Sequence, residues 1–272
     1  MAQQPSFGTI DSFRLDGKVS LVTGASRGLG LAIAEALAGA GSDIVVNGRV
    51  RETLEPVAAS IREKTGRRVL VAEGDVANRD VIQDIVRRTV DEFGRVDVLV
   101  NNAGINLRGD SSTYTEEDWD QVTNTNLKAV FFLTQACANN MIGRGEGGKI
   151  INILSLASSI GLPGVPAYAA AKGGLLQVTK TLAVEWAPQN IQVNGLGPGF
   201  FQTSLSDSLR HEAHRNRWIL SRSPSGRWGQ PVELTGAAIF LASSASNFVT
   251  GQVIYVDGGF LSGSDWREPD GQ

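Results

Sequence analysis

The sequence has very few side chains of the kind that bind metals. Cys137 is the single cysteine among 272 residues, so the chain cannot form an internal disulfide or a metal site built from several cysteines. The two histidines, His211 and His214, lie three residues apart, but no carboxylate pattern or third ligand accompanies them. We therefore expect no metal site, and we interpret both histidines as solvated.

The sequence also lacks segments of the kind that enter membranes. Residues 1–18 contain no continuous apolar core, which a signal peptide needs. Residues 150–171 carry no charge, but a helix through a bilayer would have to bury Asn152, Ser155 and Tyr168 together with two prolines. We therefore expect no membrane partner and a cytoplasmic location.

Charged residues are scarce as well, at 19% of the chain, and the net charge is −3. Because nucleic-acid-binding domains favour a basic face, this balance argues against a nucleic acid as the main partner. Hydrophobic residues make up 42% of the chain, which excludes a disordered protein. The abundant residue is glycine, with 32 copies, and many glycines indicate many tight turns or close backbone approaches.

Short apolar runs alternate with longer amphipathic segments along the chain. Continuous apolar strands are typical of burial on both faces, and strand–helix alternation predicts parallel pairing with right-handed crossovers. We therefore predict an α/β fold, a single-domain Rossmann-type doubly wound parallel sheet of about seven strands with helices on both faces. The domain takes in residues 1–272, with a core at about 17–260. Strands are predicted at 18–23, 43–47, 68–73, 96–101, 149–154, 191–196 and 253–256, and helices at 28–40, 52–64, 81–93, 116–141 (one long or two short), 167–186 and 231–242.

Residues 201–229 interrupt this alternation. They carry both histidines together with several arginines and serines. Ligands bind such sheets at the carboxyl ends of the strands, and we predict that this segment is a mobile flap over that edge. We expect the tail at 265–272 to be frayed.

A glycine turn follows the first predicted strand and opens the first predicted helix. It reads Thr23-Gly24-Ala25-Ser26-Arg27-Gly28-Leu29-Gly30. The glycines allow a tight turn and the close approach of a pyrophosphate, whose charge faces the helix N-terminus. Because the turn stands between a strand and a helix, it predicts a dinucleotide-binding site rather than a plain turn.

The end of the second predicted strand bears on the choice of dinucleotide. An acidic residue there would bind the ribose hydroxyls of NAD, but Asn47 and Arg49 occupy the segment. Arg49 and Arg27 can pair with a 2′-phosphate, which favours NADP and leaves NAD possible; the alternative is that both are solvated charges. Asp75, followed by Val76, can accept from an adenine amino group, cap a helix, or do both.

Tyr168 and Lys172 lie four residues apart on one predicted helix and so share a face. A tyrosine hydroxyl is a poor base at neutral pH, but a neighbouring ammonium favours the phenolate and lowers the pKa. Tyr168 can then take a proton from an alcohol or return one to an alkoxide. Ser155, at the end of the fifth predicted strand, can hold and polarise the substrate oxygen. Taken alone, the Tyr168–Lys172 spacing is also that of an ordinary helix face.

The order and spacing of these motifs resemble the short-chain dehydrogenase/reductase family over residues 17–260. The matching motifs are the glycine turn, Asn101-Asn102-Ala103-Gly104, Asn126 within Asn124-Thr125-Asn126-Leu127, Ser155 thirteen residues before the tyrosine, Tyr168-Ala-Ala-Ala-Lys172, and Pro198-Gly199 with Thr203.

The resemblance implies hydride transfer, without a metal, between a nicotinamide cofactor and a secondary alcohol or ketone. It makes Tyr168 the general acid/base, Lys172 the group that lowers its pKa and binds the nicotinamide ribose, and Ser155 the residue that orients the substrate. Asn126 would position a water that connects Lys172 to solvent. A homotetramer is also implied. With the residues discussed above, the expected cofactor-binding set is Gly24, Ser26, Arg27, Gly28, Leu29, Gly30, Asn47, Arg49, Asp75, Val76, Asn102, Ala103, Gly104, Tyr168, Lys172, Pro198, Gly199 and Thr203.

Within this family the chain is most similar to gluconate 5-dehydrogenases and related sugar-acid or polyol dehydrogenases, through residues 190–195, 227–229, 236–242 and 246–251. A small-molecule substrate is therefore expected, with Arg108, Ser155 and Tyr168 as its binding residues. Arg108 can clamp a sugar-acid carboxylate or can simply be a solvated loop residue. Arg222 and Arg227 are weaker candidates for this clamp.

Two alternative functions remain open. A 3-oxoacyl-[acyl-carrier-protein] reductase shares the same catalytic residues, although a weakly acidic chain without an obvious basic cluster speaks against docking an acidic carrier. A non-catalytic NADP-binding regulatory protein belongs to a different class. The complete set of Asn126, Ser155, Tyr168 and Lys172 argues against that second alternative.

Overall fold

The computed structural model describes residues 9–204 and 206–263. The tail predicted to fray, at 265–272, lies outside these residues.

Seven parallel strands form one sheet. Its spatial order is β3-β2-β1-β4-β5-β6-β7, so the chain reverses its direction of travel between β1 and β4. This order confirms the predicted doubly wound sheet, and ligands bind such sheets at the point of reversal. The strands are β1 (Val19–Val22), β2 (Asp43–Gly48), β3 (Val69–Glu73), β4 (Val98–Asn101), β5 (Gly148–Ile153), β6 (Ile191–Pro198) and β7 (Val253–Val256).

Helices connect the strands. The second shows why these segments are helical, because its buried residues Leu54, Val57, Ala58 and Ile61 recur at the three- and four-residue spacing of one helix face. The helices are α1 (Gly28–Gly39), α2 (Arg51–Thr65), α3 (Arg79–Phe93), α4 (Glu116–Thr123), α5 (Ala129–Arg144), α6 (Pro166–Trp186), α7 (Asp207–His211), α8 (Ala213–Arg222) and α9 (Thr235–Ala242).

The hydrophobic core has two layers, one on each face of the sheet. Helices α1, α2 and α9 cover one face, with Leu37 and Leu241 among the buried side chains. Helices α3, α5 and α6 cover the other face, where Ile85 and Leu133 are buried. The predicted helices on both faces are therefore present. Cys137 lies in this second layer, and burial raises the pKa of its thiol to about 12, which makes it unreactive.

Two segments differ in detail from the sequence expectation. The predicted helical region 116–141 is continuous, but a five-residue π-helical turn, Asn124–Lys128, joins α4 to α5. The predicted flap contains the short helices α7 and α8, which the irregular polar sequence of 201–229 did not indicate. In the part of the chain that the structure describes, no helix has the length and apolarity needed to cross a bilayer.

Candidate active site

The glycine turn between β1 and α1 is closely packed. Gly24 and Gly28 have φ angles of +63° and +60°, in the left-handed region that favours glycine. Gly30 lies against the turn itself. A Cβ on Gly30 would stand 2.3 Å from the Gly24 carbonyl oxygen and 2.4 Å from Asn102 Nδ2. Only glycine fits at this position, because neither neighbour is free to move away.

The end of β4 holds the turn in place. Asn102 Nδ2 donates hydrogen bonds to the carbonyl oxygens of Thr23 and Gly24, at 2.9 and 3.1 Å. The Thr23 hydroxyl accepts from the backbone N–H groups of Asn102 and Ala103, each at 3.0 Å. The carboxamide of Asn102 therefore braces the glycine turn, and its predicted contact with the cofactor stays a prediction.

A groove of about 420 Å³ runs past this turn, across the carboxyl ends of the first strands. We call it the nucleotide groove. Gln121 from α4 and Asn124 and Thr125 from the π-helical turn, which the sequence had not indicated, form part of one wall. Of the predicted cofactor-binding residues, those that line it are Gly24, Ser26, Arg27, Gly28, Leu29, Asn47, Arg49, Asp75, Val76, Asn102, Ala103, Gly104 and Thr203.

The nucleotide groove carries positive charge at the end of β2. Arg27 and Arg49 are both exposed there, and neither has an ion-pair partner among the described residues. Asn47 is buried instead, and its Nδ2 donates to the carbonyl oxygens of Ala72 and Gly74 at 2.8 and 3.2 Å. The carboxamide of Asn47 thus joins β2 to the end of β3, and the two arginines are the groups available to a ligand.

Asp75 lines the groove but does not cap α3. Its Oδ1 accepts from the backbone N–H of Ala77 at 2.9 Å, in a turn before the helix. The N-cap of α3 is Asn78, whose Oδ1 accepts from the N–H of Asp80 at 2.9 Å. The helix-cap interpretation of Asp75 is therefore wrong, because the helix begins three residues later than that interpretation requires.

Lys172 lies one turn after Tyr168 in α6 and is almost completely buried. Its Nζ donates to the carbonyl oxygen of Ile153 at 2.6 Å and lies 5.7 Å from the centre of the Tyr168 ring. Burial lowers the pKa of Lys172 to about 8. The ammonium is therefore still the main form at neutral pH, and its charge is close to the phenol.

Tyr168 and Ser155 face the same cavity. Burial raises the pKa of Tyr168 above its ordinary value, while the neighbouring Ser155 hydroxyl and the positive charge of Arg108 act in the opposite direction. Ser155 lies two residues after the end of β5, and its Oγ accepts from the N–H of Ala157 at 3.2 Å. That bond fixes the hydroxyl at the carboxyl end of the strand. The structure thus brings together the three residues predicted to surround a reacting oxygen.

The cavity around them, which we call the substrate cavity, has a volume of about 440 Å³. Its remaining walls come from the segment after β4, from the end of β6 and from the flap. Leu29 and Thr203 line both the substrate cavity and the nucleotide groove, so the two spaces meet there. The other lining residues are Asn106, Arg108, Leu162, Pro163, Val165, Pro198, Gly199, Phe200, Phe201, Ser206, Leu209, His214, Arg215, Trp218 and Ile219.

Asn126 lies in the π-helical turn and is fully buried. Its Oδ1 accepts from the N–H of Ile105 at 2.9 Å, and its Nδ2 donates to the carbonyl oxygen of Ile105 at 2.6 Å. The carboxamide therefore anchors the segment that follows β4. The water-positioning role implied by the family resemblance stays a prediction.

The structure separates the flap residues that the sequence had grouped. His214 is exposed, as expected, but it also lines the substrate cavity, whereas His211 Nδ1 lies 2.7 Å from the Asp207 carbonyl oxygen. Arg222 and Arg227 do not line the cavity. Arg222 lies over the Phe260 ring, 5.5 Å from its centre, and Arg227 forms a two-pronged ion pair with Glu233.

No group of three or more histidine, cysteine or carboxylate side chains in residues 9–204 and 206–263 could hold a metal ion.

Sequence reasoning missed three polar residues of the substrate cavity, Asn106, Ser206 and Arg215. Asn106 Oδ1 is buried without a hydrogen-bond partner among the described residues. It lies two residues after Gly104, so its place next to the Asn101–Gly104 motif was a usable signal. Arg215 lies on α8, and no periodicity or motif distinguished it from the other arginines of the flap.

Comparison with known proteins gives consistent relatives. Residues 24–261 match the family described as enoyl-(acyl carrier protein) reductase. The chain is 47% identical over 255 residues to 2-dehydro-3-deoxy-D-gluconate 5-dehydrogenase of Escherichia coli (strain K12), covering 93% of this chain and 99% of that protein. It is 44% identical over 249 residues to gluconate 5-dehydrogenase of Gluconobacter oxydans (strain 621H), covering 92% and 96%.

Among solved structures, the fold is similar to that of a gluconate 5-dehydrogenase from Burkholderia cenocepacia J2315 in complex with NADP and tartrate. The TM-score is 0.89 and the sequence identity 44%, and the match covers 93% of this chain and 98% of that one.

Proposed function

Because the chain belongs to the short-chain dehydrogenase/reductase family and is an oxidoreductase of hydroxyl and keto groups, we propose that it interconverts a sugar acid such as gluconate with its keto form, using NADP. The observation that carries this proposal is the substrate cavity itself. It combines Ser155 and Tyr168, with Lys172 directly behind them, and adds the guanidinium of Arg108. The cavity thus offers acid–base chemistry beside a cation.

The nucleotide groove fits NADP. Its glycine turn leaves room for a pyrophosphate at the start of α1, and its two exposed guanidinium groups, Arg27 and Arg49, suit a 2′-phosphate. No carboxylate stands at the end of β2 to repel that phosphate. Three similar solved structures have NADP bound. When bound, NADP supplies the acceptor or donor of the hydride.

The residues of the cavity divide the proton chemistry among them. Ser155 holds the reacting oxygen by a hydrogen bond, and Tyr168 takes the hydroxyl proton during oxidation or returns it during reduction. The Lys172 ammonium stabilises the phenolate form of Tyr168. Asn126 fixes the segment after β4, which carries Asn106 and Arg108 of the cavity wall.

A polyhydroxy acid suits the remaining polar groups of the cavity. Arg108 offers a carboxylate a two-pronged partner. Asn106 Oδ1 offers a substrate hydroxyl a buried acceptor, and a buried acceptor left without a partner costs free energy. The related enzymes named for gluconate, 2-dehydro-3-deoxy-D-gluconate and 5-keto-D-gluconate act on acids of this type.

The proposal is tested by initial rates. Gluconate, related sugar acids and neutral polyols are oxidised with NADP and NAD side by side, and 5-ketogluconate and a 3-oxoacyl thioester are reduced with NADPH. We expect turnover of the sugar acids with a preference for NADP. Turnover of the thioester alone would assign the chain to acyl-carrier reductases, and turnover of nothing would favour a regulatory protein.

The variant Tyr168→Phe tests the proposed mechanism. Removing the hydroxyl should lower kcat by at least ~100-fold, because a positioned general acid/base contributes about that much. NADPH binding, measured by fluorescence titration, should be unchanged. Unchanged turnover would contradict the assignment of Tyr168 as the acid/base.

Three further properties belong to this proposal. We propose a single domain, since every strand in the described residues belongs to one sheet, and a cytoplasmic location. We also propose a homotetramer. Its support is apolar surface, since Phe248 is fully exposed and Val184 is 79% exposed, and the nearby edge strand β7 is only half-buried.

A further inference from the structure

The substrate cavity contains two guanidinium groups that come from separate parts of the fold. Arg108 belongs to the segment after β4, and Arg215 to helix α8 of the flap. Among the described residues that line the cavity, none is acidic. Arg215 is about half exposed, and two like charges in the wall of one cavity repel each other unless an anion lies between them.

The two guanidinium groups are close enough to affect each other. The pKa of Arg108 is lowered from its ordinary value, first by burial and then by the positive charge of Arg215, while Glu212 acts in the opposite direction. Glu212 is the ion-pair partner of Arg215, and its carboxylate oxygens lie 3.2 Å from Arg215 Nε and Nη1. One carboxylate outside the cavity lining therefore faces two cations, which leaves an excess of one positive charge.

We propose that Arg215 is a specificity-determining residue that binds the substrate carboxylate together with Arg108. This inference rests on the proposed sugar-acid function and deepens it, because it assigns the selection of acids over neutral polyols partly to the flap. The substrate carboxylate supplies the second anion that the pair of guanidinium groups lacks.

The first test replaces Arg215 by glutamine. Arg217→Gln is the matched control, because it removes the same charge from the same helix, and Arg217 does not line the cavity. Loss of one charge-assisted hydrogen-bonded pair should raise the KM for gluconate by about 10- to 100-fold with kcat nearly unchanged. The KM for NADP should not change in either variant. Equal gluconate KM values in the two variants would overturn the inference.

A second variant separates anion binding from a structural ion pair. If Arg215 served only to pair with Glu212, then Arg215→Gln and Glu212→Gln would have the same effect. If Arg215 binds the substrate, Glu212→Gln removes a competing negative charge, and the KM for gluconate should stay the same or fall. A rise in KM as large as that of Arg215→Gln would contradict the proposal.

A binding measurement keeps the inference independent of the assigned reaction. Tartrate, a small dicarboxylate, is titrated into the NADP-loaded protein, and its dissociation constant is measured by calorimetry for wild type, Arg215→Gln and Arg217→Gln. We expect about 10-fold or weaker binding for Arg215→Gln alone. If gluconate is not a substrate but this pattern holds, the proposed function fails and the anion site stands. If gluconate is a substrate and the pattern is absent, only the inference fails.

Discussion

At the scale of single residues, Tyr168 is subject to opposing influences. Burial raises the pKa of its hydroxyl, and Ser155 and Arg108 lower it. The Lys172 ammonium, which donates to the Ile153 carbonyl oxygen, adds a positive charge beside the phenol. Burial lowers the pKa of Lys172 itself to about 8. Burying a phenol or an ammonium costs free energy of folding. Their burial next to each other is therefore typical of a functional site rather than of a stabilising contact.

The pH dependence of oxidation follows from this balance. Alcohol oxidation needs the phenolate of Tyr168 as its base, so kcat should rise with pH. Arg108→Gln removes a positive charge that lowers the pKa of Tyr168, and the rise should therefore move to higher pH. The measurement is kcat at saturating substrate across pH 6 to 10, with Arg222→Gln as the control outside the cavity. A shift to lower pH, or an equal shift in both variants, would contradict this interpretation.

At the scale of elements, the junction of β1 and α1 depends on a close backbone contact. A methyl group at Gly30 would overlap the Gly24 carbonyl and the Asn102 carboxamide. These are the groups that set the shape of the nucleotide groove, since Asn102 ties the turn to β4.

Gly30→Ala should therefore weaken NADP binding by at least ~10-fold and lower the free energy of unfolding by about 1 to 3 kcal/mol, as overpacking does. Gly39→Ala is the matched control in the same helix, because nothing lies within 4 Å of a Cβ there. That control should leave NADP binding unchanged and stability equal or slightly higher. Fluorescence titration and urea unfolding measure both quantities, and similar losses in the two variants would refute the argument.

How much the sequence reveals differs between elements. The central strands and α1, α2 and α6 were predictable, since their apolar runs and periodic faces reflect burial that each segment encodes locally. The π-helical turn at Asn124–Lys128 was not, because its form depends on the bond between Asn126 and Ile105, 21 residues apart. Helices α7 and α8 were missed because their short polar segments are ordered by Trp228 and Ile219, which pack together only in the folded chain.

The residues of the candidate site also divide into those that the sequence indicates and those that only the fold reveals. Tyr168, Lys172, Ser155 and the glycine turn were found because each belongs to a motif with a fixed spacing. Arg215 could not be distinguished in the sequence from the other arginines of the flap, since only the fold places it in the same cavity as Arg108. The roles of Asn47 and Asn102 were also beyond the sequence, because their carboxamides bond to backbone groups of distant strands.

At the scale of the whole molecule, the apolar surface near β7 is where we expect the proposed homotetramer to have an interface. Phe248 is fully exposed just before this edge strand. A large exposed aromatic ring beside a half-buried sheet edge is typical of a protein–protein interface.

Light scattering should therefore give a mass about four times that of the 28.9-kDa chain. Phe248→Asp places a charge on the exposed surface and should shift the mass towards smaller species. Val50→Asp adds the same charge at a half-exposed position before α2 and serves as the control. A wild-type monomer, or an unchanged mass for Phe248→Asp, would contradict the proposed interface.

The meeting of the two spaces at Leu29 and Thr203 has a kinetic consequence. A dinucleotide that fills the groove as far as these residues becomes part of the wall that a sugar acid touches. The binding site for the acid is therefore complete only when the dinucleotide is bound. For the proposed function we therefore expect the two ligands to bind in a fixed order, with the dinucleotide binding first and leaving last.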